Sequence, residues 1–512
     1  MQLQATLRQK RMLAESKFSD ALVVWPPKQT TADSAEMRTL DSLAAGNIKS
    51  AFAEVAGTAF LRRRIPRMEV IRHINGKQVV KASSPGVLAM RNLSPGLRIA
   101  RSSMAYLQFI RPLGDELSGL VVPVQPSARA KQFDVRITSA AGMPLAGVRV
   151  QALLDLEGVH AASITDAQGT ATLRIPIIYP RVEAVIAEPE HTWWSVYAPG
   201  FDRVDAPRRV DLVIDPLVPD GYQLLAGYAP YDATAGEGVT VGVIDSGCGP
   251  HPALSVAGGR CLVTGEDESD WADNGIGHGT HVAGIIAAAA APGTNVHGIA
   301  PACRLMAYRV CARTEPKDRA QSVDIAAALE QAIADQCDIV NISMGSLEAM
   351  PEVPDLLEQA RNAGMLVFAA TGNDGLDELR YPGRYSHTLA VGALGRDASF
   401  PDNCPEIFRE SPIRKGNEFL AAFSNYGLET DFVGPGLAVI STYPHGKYAM
   451  MSGTSMAAPF STGMAARILS KEPGILNMPR SAARADALIK LLSASARTIG
   501  WADEYEGFGV LK

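Results

Sequence analysis

Apolar residues fall into three textures along this chain. Through residues 1–125, short apolar runs are separated by long polar stretches. Asp20 opens the run Ala-Leu-Val-Val-Trp25, which Pro26 and Pro27 stop, so it reads as a short strand. Residues 31–56 are helical in composition, with Thr31 or Asp33 as candidate cap. Residues 68–74 and 77–81 flank Asn75-Gly76, a two-residue hairpin signal, and a last strand starts at Pro95-Gly96. From residue 133 to 213 the pattern alternates with period two. The segments beginning at Phe133 and Val148 flank a Gly142-to-Gly147 turn, and the loop from Thr165 to Thr172 joins two more strands. Strands at that spacing predict a β-sandwich.

The third texture has continuous apolar runs separated by small-residue helices. Residues 239–244 lead to Asp245, residues 339–342 to Ser343, and residues 365–370 to Thr371. Such runs fit parallel strands buried on both faces, each presenting its next residue at the carboxyl edge of the sheet. The Ala-rich residues 282–291 and the small-residue stretch 456–469 read as helices. The expected organisation is an N-terminal α+β region over 1–125, an all-β sandwich over 130–215 and a linker over 216–232. An α/β domain with a mainly parallel sheet flanked by helices follows over 233–512.

Composition narrows the function. Lys and Arg number 48 against 54 Asp and Glu, a formal charge of −6, which is too mild to suggest nucleic acid. The run Arg62-Arg63-Arg64 reads as a solvated helix end. No stretch reaches the length of a membrane span, and the polar start at Met1 does not resemble a signal peptide. A cytoplasmic location follows if Met1 is the natural start, and a secreted one if a signal peptide was trimmed. All six cysteines lie between Cys248 and Cys404, where six reduced thiols and three disulfides are both allowed; Cys248 with Cys261 is the first pair to consider.

The chemistry sits at the ends of the apolar runs. A serine hydroxyl becomes a nucleophile near neutral pH only with an imidazole in reach and a carboxylate to fix that ring's tautomer. Asp245 ends one strand, His278 stands between Gly277 and Gly279 at the start of a helix, and Ser455 opens another helix within Gly453-Thr454-Ser455-Met456-Ala457-Ala458-Pro459. Singly, such an Asp reads as a turn former and such a Ser as an N-cap. His281, three residues after His278, raises a metal pair, but the helical zinc pattern requires i and i+4 with a Glu between. Residues 287–295 offer no oxygen-rich loop, so neither calcium nor another metal nor a cofactor is inferred.

The order Asp, His, Ser with these glycine-rich surroundings resembles the subtilisin-like serine proteases over about residues 220–512. The resemblance implies a Ser-His-Asp endopeptidase with an acyl-enzyme intermediate: Asp245 orients His278, His278 takes the Ser455 proton, and Asn373 donates to the oxyanion. It also implies peptide binding by strand addition along residues 339–346. The expected pocket lies between Ser343, Met344 and Gly345 on one side and Ala370 and Gly372 on the other. Neither wall is acidic, so an apolar or broad preference is expected before the cleaved bond, with Asp374 and Glu378 near enough to bear on it.

Residues 1–125 resemble the inhibitory prosegments of this family, which implies an intramolecular inhibitor as partner besides a protein or peptide substrate; a small interaction domain fits the same pattern. The segment 130–215 is similar to carboxypeptidase-regulatory, transthyretin-like sandwiches and predicts no chemistry. Self-cleavage is expected between about Arg111 and Lys131 or near 214–232. The polar insertion 395–420 reads as a cleavage site, a lid or a partner surface. Two rival readings are a regulatory binding protein whose N-terminal region stays in the cleft, and a protease dedicated to one cognate substrate.

Overall fold

The computed structural model describes residues 21–25, 68–74, 77–82, 87, 90, 97–109, 130–154, 160–179, 181–201, 209–218 and 224–512. Among them, the N-terminal part forms a four-stranded antiparallel sheet from β1 (Ala21–Trp25), β2 (Met68–Ile74), β3 (Lys77–Ala82) and β4 (Arg98–Arg101), in the order β2-β3-β1-β4. The hairpin and terminal strands expected there are present. The helix expected over 31–56 and the Arg62–Arg64 run lie outside the described residues. A fifth strand, β5 (Met104–Leu107), pairs outside this sheet.

The middle of the chain is a sandwich of two sheets, as the period-two alternation predicts. Its strands are β6 (Ala130–Ser139), β7 (Arg149–Leu153), β8 (His160–Ile164), β9 (Thr170–Pro176), β10 (Val182–Glu188), β11 (Val196–Phe201) and β12 (Arg209–Ile214). One sheet runs β11-β10-β7-β8 and the other β12-β6-β9, with Phe133, Val135, Ile137, Val150 and Leu173 buried between them.

The rest is built on a nine-stranded sheet. Its strands and helices begin with β13 (Thr240–Asp245), β14 (Val256–Cys261) and α1 (His278–Ala287), followed by β15 (Arg304–Arg309). The short β16 (Arg319–Gln321), off this sheet, precedes α2 (Ser322–Ala334), β17 (Ile339–Ile342) and the two-residue β18 (Met344–Gly345). Then come α3 (Pro354–Asn362), β19 (Leu366–Ala370), β20 (Leu389–Arg396), β21 (Glu410–Lys415), β22 (Glu418–Ala421) and β23 (Thr430–Pro435). The hairpin β24 (Val439–Tyr443) and β25 (Lys447–Met451) leads to α4 (Thr454–Leu469) and α5 (Ala482–Ser495). The sheet order is β14-β15-β13-β17-β19-β20-β22-β21, with β23 parallel to β20. Every residue of β17 and β19 is buried, which explains their unbroken apolar runs. α1 and α4 cover one face, with Val241, Ile339 and Phe368; α2 and α3 cover the other, with Ile244, Val340 and Val367.

The N-terminal sheet packs on the α2 and α3 side. Ala21, Val23, Ile74 and Val79 join the core beneath those helices, while alternate residues Leu22, Val24 and Val80 face the other way. Docking is reinforced by Arg72 Nη1 to Asp324 Oδ1 at 3.1 Å and Lys77 Nζ to Asp355 Oδ2 at 2.6 Å.

One expectation changes here and two open ones narrow. The segment expected as a linker is packed: Leu217, Leu224, Leu225 and Ala229 are buried in the core that α1 and α4 cover, and 219–223 lie outside the described residues. All six cysteines are free and buried, so Cys248 and Cys261 are not bridged. The 395–420 insertion extends the sheet through β21 and β22 and meets the sandwich, where Tyr197 N–H donates to Asn403 O at 2.7 Å and the Tyr197 and Phe408 rings lie 4.7 Å apart. No helix among the described residues is long and apolar enough to cross a membrane.

Candidate active site

Asp245 closes β13, and α1 begins with His278 as its first residue. Close approach requires Gly279: a Cβ there would lie 2.1 Å from the Gly247 carbonyl oxygen and 3.1 Å from Asp245 Oδ1. His278 Nδ1 donates to Asp245 Oδ1 at 2.7 Å, and both side chains are buried. That bond puts the ring proton on Nδ1 and a lone pair on Nε2, the form a general base needs. Nε2 is buried without a partner among the described residues. Asp273 accepts from the Gly275 and Gly277 N–H groups and from Thr280 Oγ1, which anchors the start of the helix, while burial pushes its carboxyl up. His281 is not part of a metal pair. Its Nε2 faces the Val439 and Ala449 carbonyls at 3.1 Å each, and burial together with the nearby His278 pushes its pKa down to about 3.

Ser455 is the second residue of α4, behind Gly453 at φ 153°. Its Oγ donates to the Ser343 carbonyl at 2.9 Å instead of to His278. Ser343 Oγ in turn donates to the Ser455 carbonyl at 2.9 Å; Asn341 Nδ2 donates to Ser343 Oγ, and Thr462 Oγ1 donates to Asn341 Oδ1 at 3.1 Å. This buried network ties the end of β17 to α4. Asn373 Oδ1 accepts from Thr454 N–H and Thr454 Oγ1, leaving Nδ2 buried and without a partner among the described residues.

The cleft is occupied by the chain itself. β5 lies antiparallel between β16 and β18, pairing Ala105 with Ala320, Tyr106 with both Arg319 and Gly345, and Leu107 with Met344. Beyond it, Gln108 N–H donates to Ser343 O at 3.0 Å, and Gln108 O accepts from Ser455 N–H at 2.9 Å. A Cβ on Gly453 would lie 2.4 Å from Gln108 O, 2.7 Å from Phe109 Cα and 3.2 Å from Asn373 Nδ2. The Gln108–Phe109 bond therefore sits between the helix end that carries Ser455 and the unpartnered Asn373 amide. The Phe109 ring lies 5.2 Å from the His278 ring.

Of the residues expected from sequence to bind substrate, Ser343, Met344 and Gly345 bond or pair with residues 106–108. Gly372 lies against Arg380 and Asn425, and Ala370 ends β19. The structure adds residues that sequence reasoning missed. Asn341 interrupts an apolar strand, a visible signal whose target was not; Arg380 reaches the pocket from a loop and pairs with Asp374 at 2.7 Å. Among the described residues, no group of three or more His, Cys, Asp or Glu could hold a metal ion.

Comparison with known proteins gives a consistent result. Residues 236–509 match the Subtilase family. The chain is 37% identical over 243 residues to Subtilisin BL of Lederbergia lenta, covering 48% of this chain and 80% of that protein. M-protease of Shouchella clausii (strain KSM-K16) is also 37% identical over 243 residues, which are 57% of its length. An intracellular serine protease of Paenibacillus polymyxa is 34% identical over 305 residues, covering 57% of this chain and 85% of that protein.

Proposed function

Because the chain belongs to the subtilase family and is a subtilisin-like serine endopeptidase, we propose that Ser455 is its nucleophile and that its first substrate is its own Gln108–Phe109 bond. Asp245 holds His278 in the Nδ1-protonated form. The Ser455 hydroxyl turns from Ser343 O to His278 Nε2, gives up its proton there, and attacks the Gln108 carbonyl carbon. Ser455 N–H and Asn373 Nδ2 hold the oxyanion. As the C–N bond breaks, His278 returns the proton to the departing Phe109 amine, and water then releases Gln108 from the acyl-enzyme through the same base.

The observation that carries this reading is the 2.9 Å bond from Ser455 N–H to Gln108 O, made by a segment that enters the cleft as an added strand. It puts the proposed cleavage upstream of both regions expected from sequence. It also supports the N-terminal region as an intramolecular inhibitor, since Ala105, Tyr106, Leu107 and Gln108 are buried where a substrate would lie. The intact mass of freshly purified protein tests it. The wild type should give a fragment beginning at Phe109, and Ser455→Ala should remain one chain. Equal masses, or a cut elsewhere, would overturn the assignment.

A further inference from the structure

Resting on that reading of the cleft, we propose that the pocket for the residue before the cleaved bond is a carboxamide pocket that selects glutamine, with Arg380 and Asp374 as its floor. Gln108 is fully buried; its Nε2 donates to Tyr106 O at 2.8 Å and lies 3.4 Å from Gly345 O. Tyr106 O belongs to the bound segment itself, so the pocket's own contribution is the Gly345 carbonyl, an acceptor that asks for a neutral donor. Gln108 Oε1 finds no donor among the described residues, so selection rests on the NH2 half of the amide.

The pocket is shallow because Arg380 occupies its depth. A Cβ on Gly345 would lie 2.9 Å from Arg380 Cβ and 3.0 Å from Gln108 Nε2, and a Cβ on Gly372 would lie 2.5 Å from Arg380 Cγ. The arginine stem thus runs against both glycine walls. Its backbone spans them as well, since Arg380 N–H donates to Thr371 O and Tyr381 N–H to Ser346 O, both at 2.9 Å. The guanidinium makes two bonds to Asp374, Nε to Oδ2 and Nη2 to Oδ1, each 2.7 Å, with both side chains 1% exposed. Asn425 fixes the acid in turn, donating to Oδ2 at 3.2 Å and accepting from Asp374 N–H at 2.8 Å.

Each alternative side chain meets a specific obstacle. Leucine fits the depth but leaves Gly345 O without the amide. Glutamate would bury a charge against two carbonyl oxygens. Phenylalanine is too long for a floor filled by Arg380, and arginine adds a like charge to the guanidinium there. The apolar or broad preference expected from the two walls changes because the residue that decides it comes from outside them.

Quenched peptides of the sequence Ser-Met-Ala-Tyr-Leu-X-Phe, matching residues 103–109, test this with X as Gln, Leu, Phe, Glu or Arg. With the self-processed enzyme, kcat/KM for Gln should exceed Leu by about tenfold, the worth of one neutral hydrogen bond, and Phe, Glu and Arg should fall below Leu. Within the precursor, Gln108→Leu and Gln108→Glu should slow self-cleavage in the same order, a readout that leaves the protease fold untouched. Asp374→Ser with Arg380→Gly should open the pocket and invert the order toward Phe. Leu or Phe cleaved as fast as Gln by the wild type overturns the pocket assignment, as does wild-type order in the double variant. An enzyme that a fluorophosphonate labels at Ser455 but that ignores X sinks this inference alone. One that neither labels nor cleaves sinks the endopeptidase reading with it.

Discussion

The Ser455 hydroxyl and the His278 Nε2 it must reach are both buried, yet the hydroxyl donates to Ser343 O and Nε2 is unpartnered. A buried nitrogen lone pair without a donor is costly, so the structure favours the turn that brings the two together. Ser343 O also accepts from Gln108 N–H, so the carbonyl that holds the substrate keeps one bond when the hydroxyl leaves. The same logic applies to Asn373. Its Oδ1 is held by Thr454, so Nδ2 is aimed without having to reorganise during the reaction. Asn373→Ala should therefore slow self-cleavage by about 10²–10³-fold, the loss that accompanies removal of such a donor in a subtilisin rather than a value derived from this site. Time courses of the Phe109 fragment against wild type measure it, and an unchanged rate would remove Asn373 from the oxyanion site. The three residues of the proposed triad were legible because each stands among glycines and small residues that have few other uses. Asn341 and Gln108 were not, because their roles depend on partners 121 and 237 positions away that nothing local marks; Arg380 was not, because Asp374 is near it in sequence but nothing there shows the arginine turning back onto Gly345 and Gly372.

At the scale of elements, the N-terminal sheet is joined to α2 and α3 through buried polar groups as well as apolar ones. Asp324, in the first turn of α2, accepts from Arg72 at 3.1 Å and from Thr264 at 3.0 Å. Burial nonetheless outweighs the arginine and pushes its pKa up to about 7. Nearby, Ser102 and Ser103 meet Ser322, whose hydroxyl donates to the buried Glu352, an acid that burial also pushes up. The folded state holds Asp324 in its protonated form more strongly than the unfolded chain does. Its contribution to stability is thus fully present below the ordinary carboxylate range and is lost as pH rises through about 7. In the uncleavable Ser455→Ala background, Asp324→Asn should gain stability relative to its parent between pH 5 and pH 8, by about 2.5 kcal/mol, since roughly two pH units separate pH 5 from the raised value. Denaturant titrations at the two pH values decide it, and a constant difference would show that burial does not shift the titration of Asp324 into that range. The hairpin and strands of this sheet were readable from Asn75-Gly76 and from short apolar runs. The transfer of β5 out of the sheet and into the cleft was not, because its pairing partners lie more than 200 residues away in β16 and β18.

Across the whole molecule, the sandwich is fastened to the catalytic part at three places. Tyr197 bonds and packs on the insertion at Asn403 and Phe408; His191 stacks on Tyr443 at 3.9 Å; and Trp194, 1% exposed, belongs to the catalytic core together with Leu217. The second contact reaches toward the active site, since the Tyr443 hydroxyl donates to Ile276 O, two residues before His278. Period-two alternation was enough to read the strands of the sandwich, because strand patterns are local. Its docking was not readable, since a tryptophan in a loop looks the same whether it faces solvent or another core. A residue shared between two bodies makes them unfold together, so the fragment beginning at Phe109 should lose its structure in one transition. Trp194→Ala leaves a large cavity at that junction and should cost about 3–5 kcal/mol, with the single transition splitting into two. Ile164→Ser, at an exposed sandwich position, should stay within about 0.5 kcal/mol of wild type. Calorimetry of the processed enzyme distinguishes the cases: two transitions already in the wild type would mean that the sandwich is tethered to the protease without sharing its core, and one unchanged transition in Trp194→Ala would mean that Trp194 does not couple them.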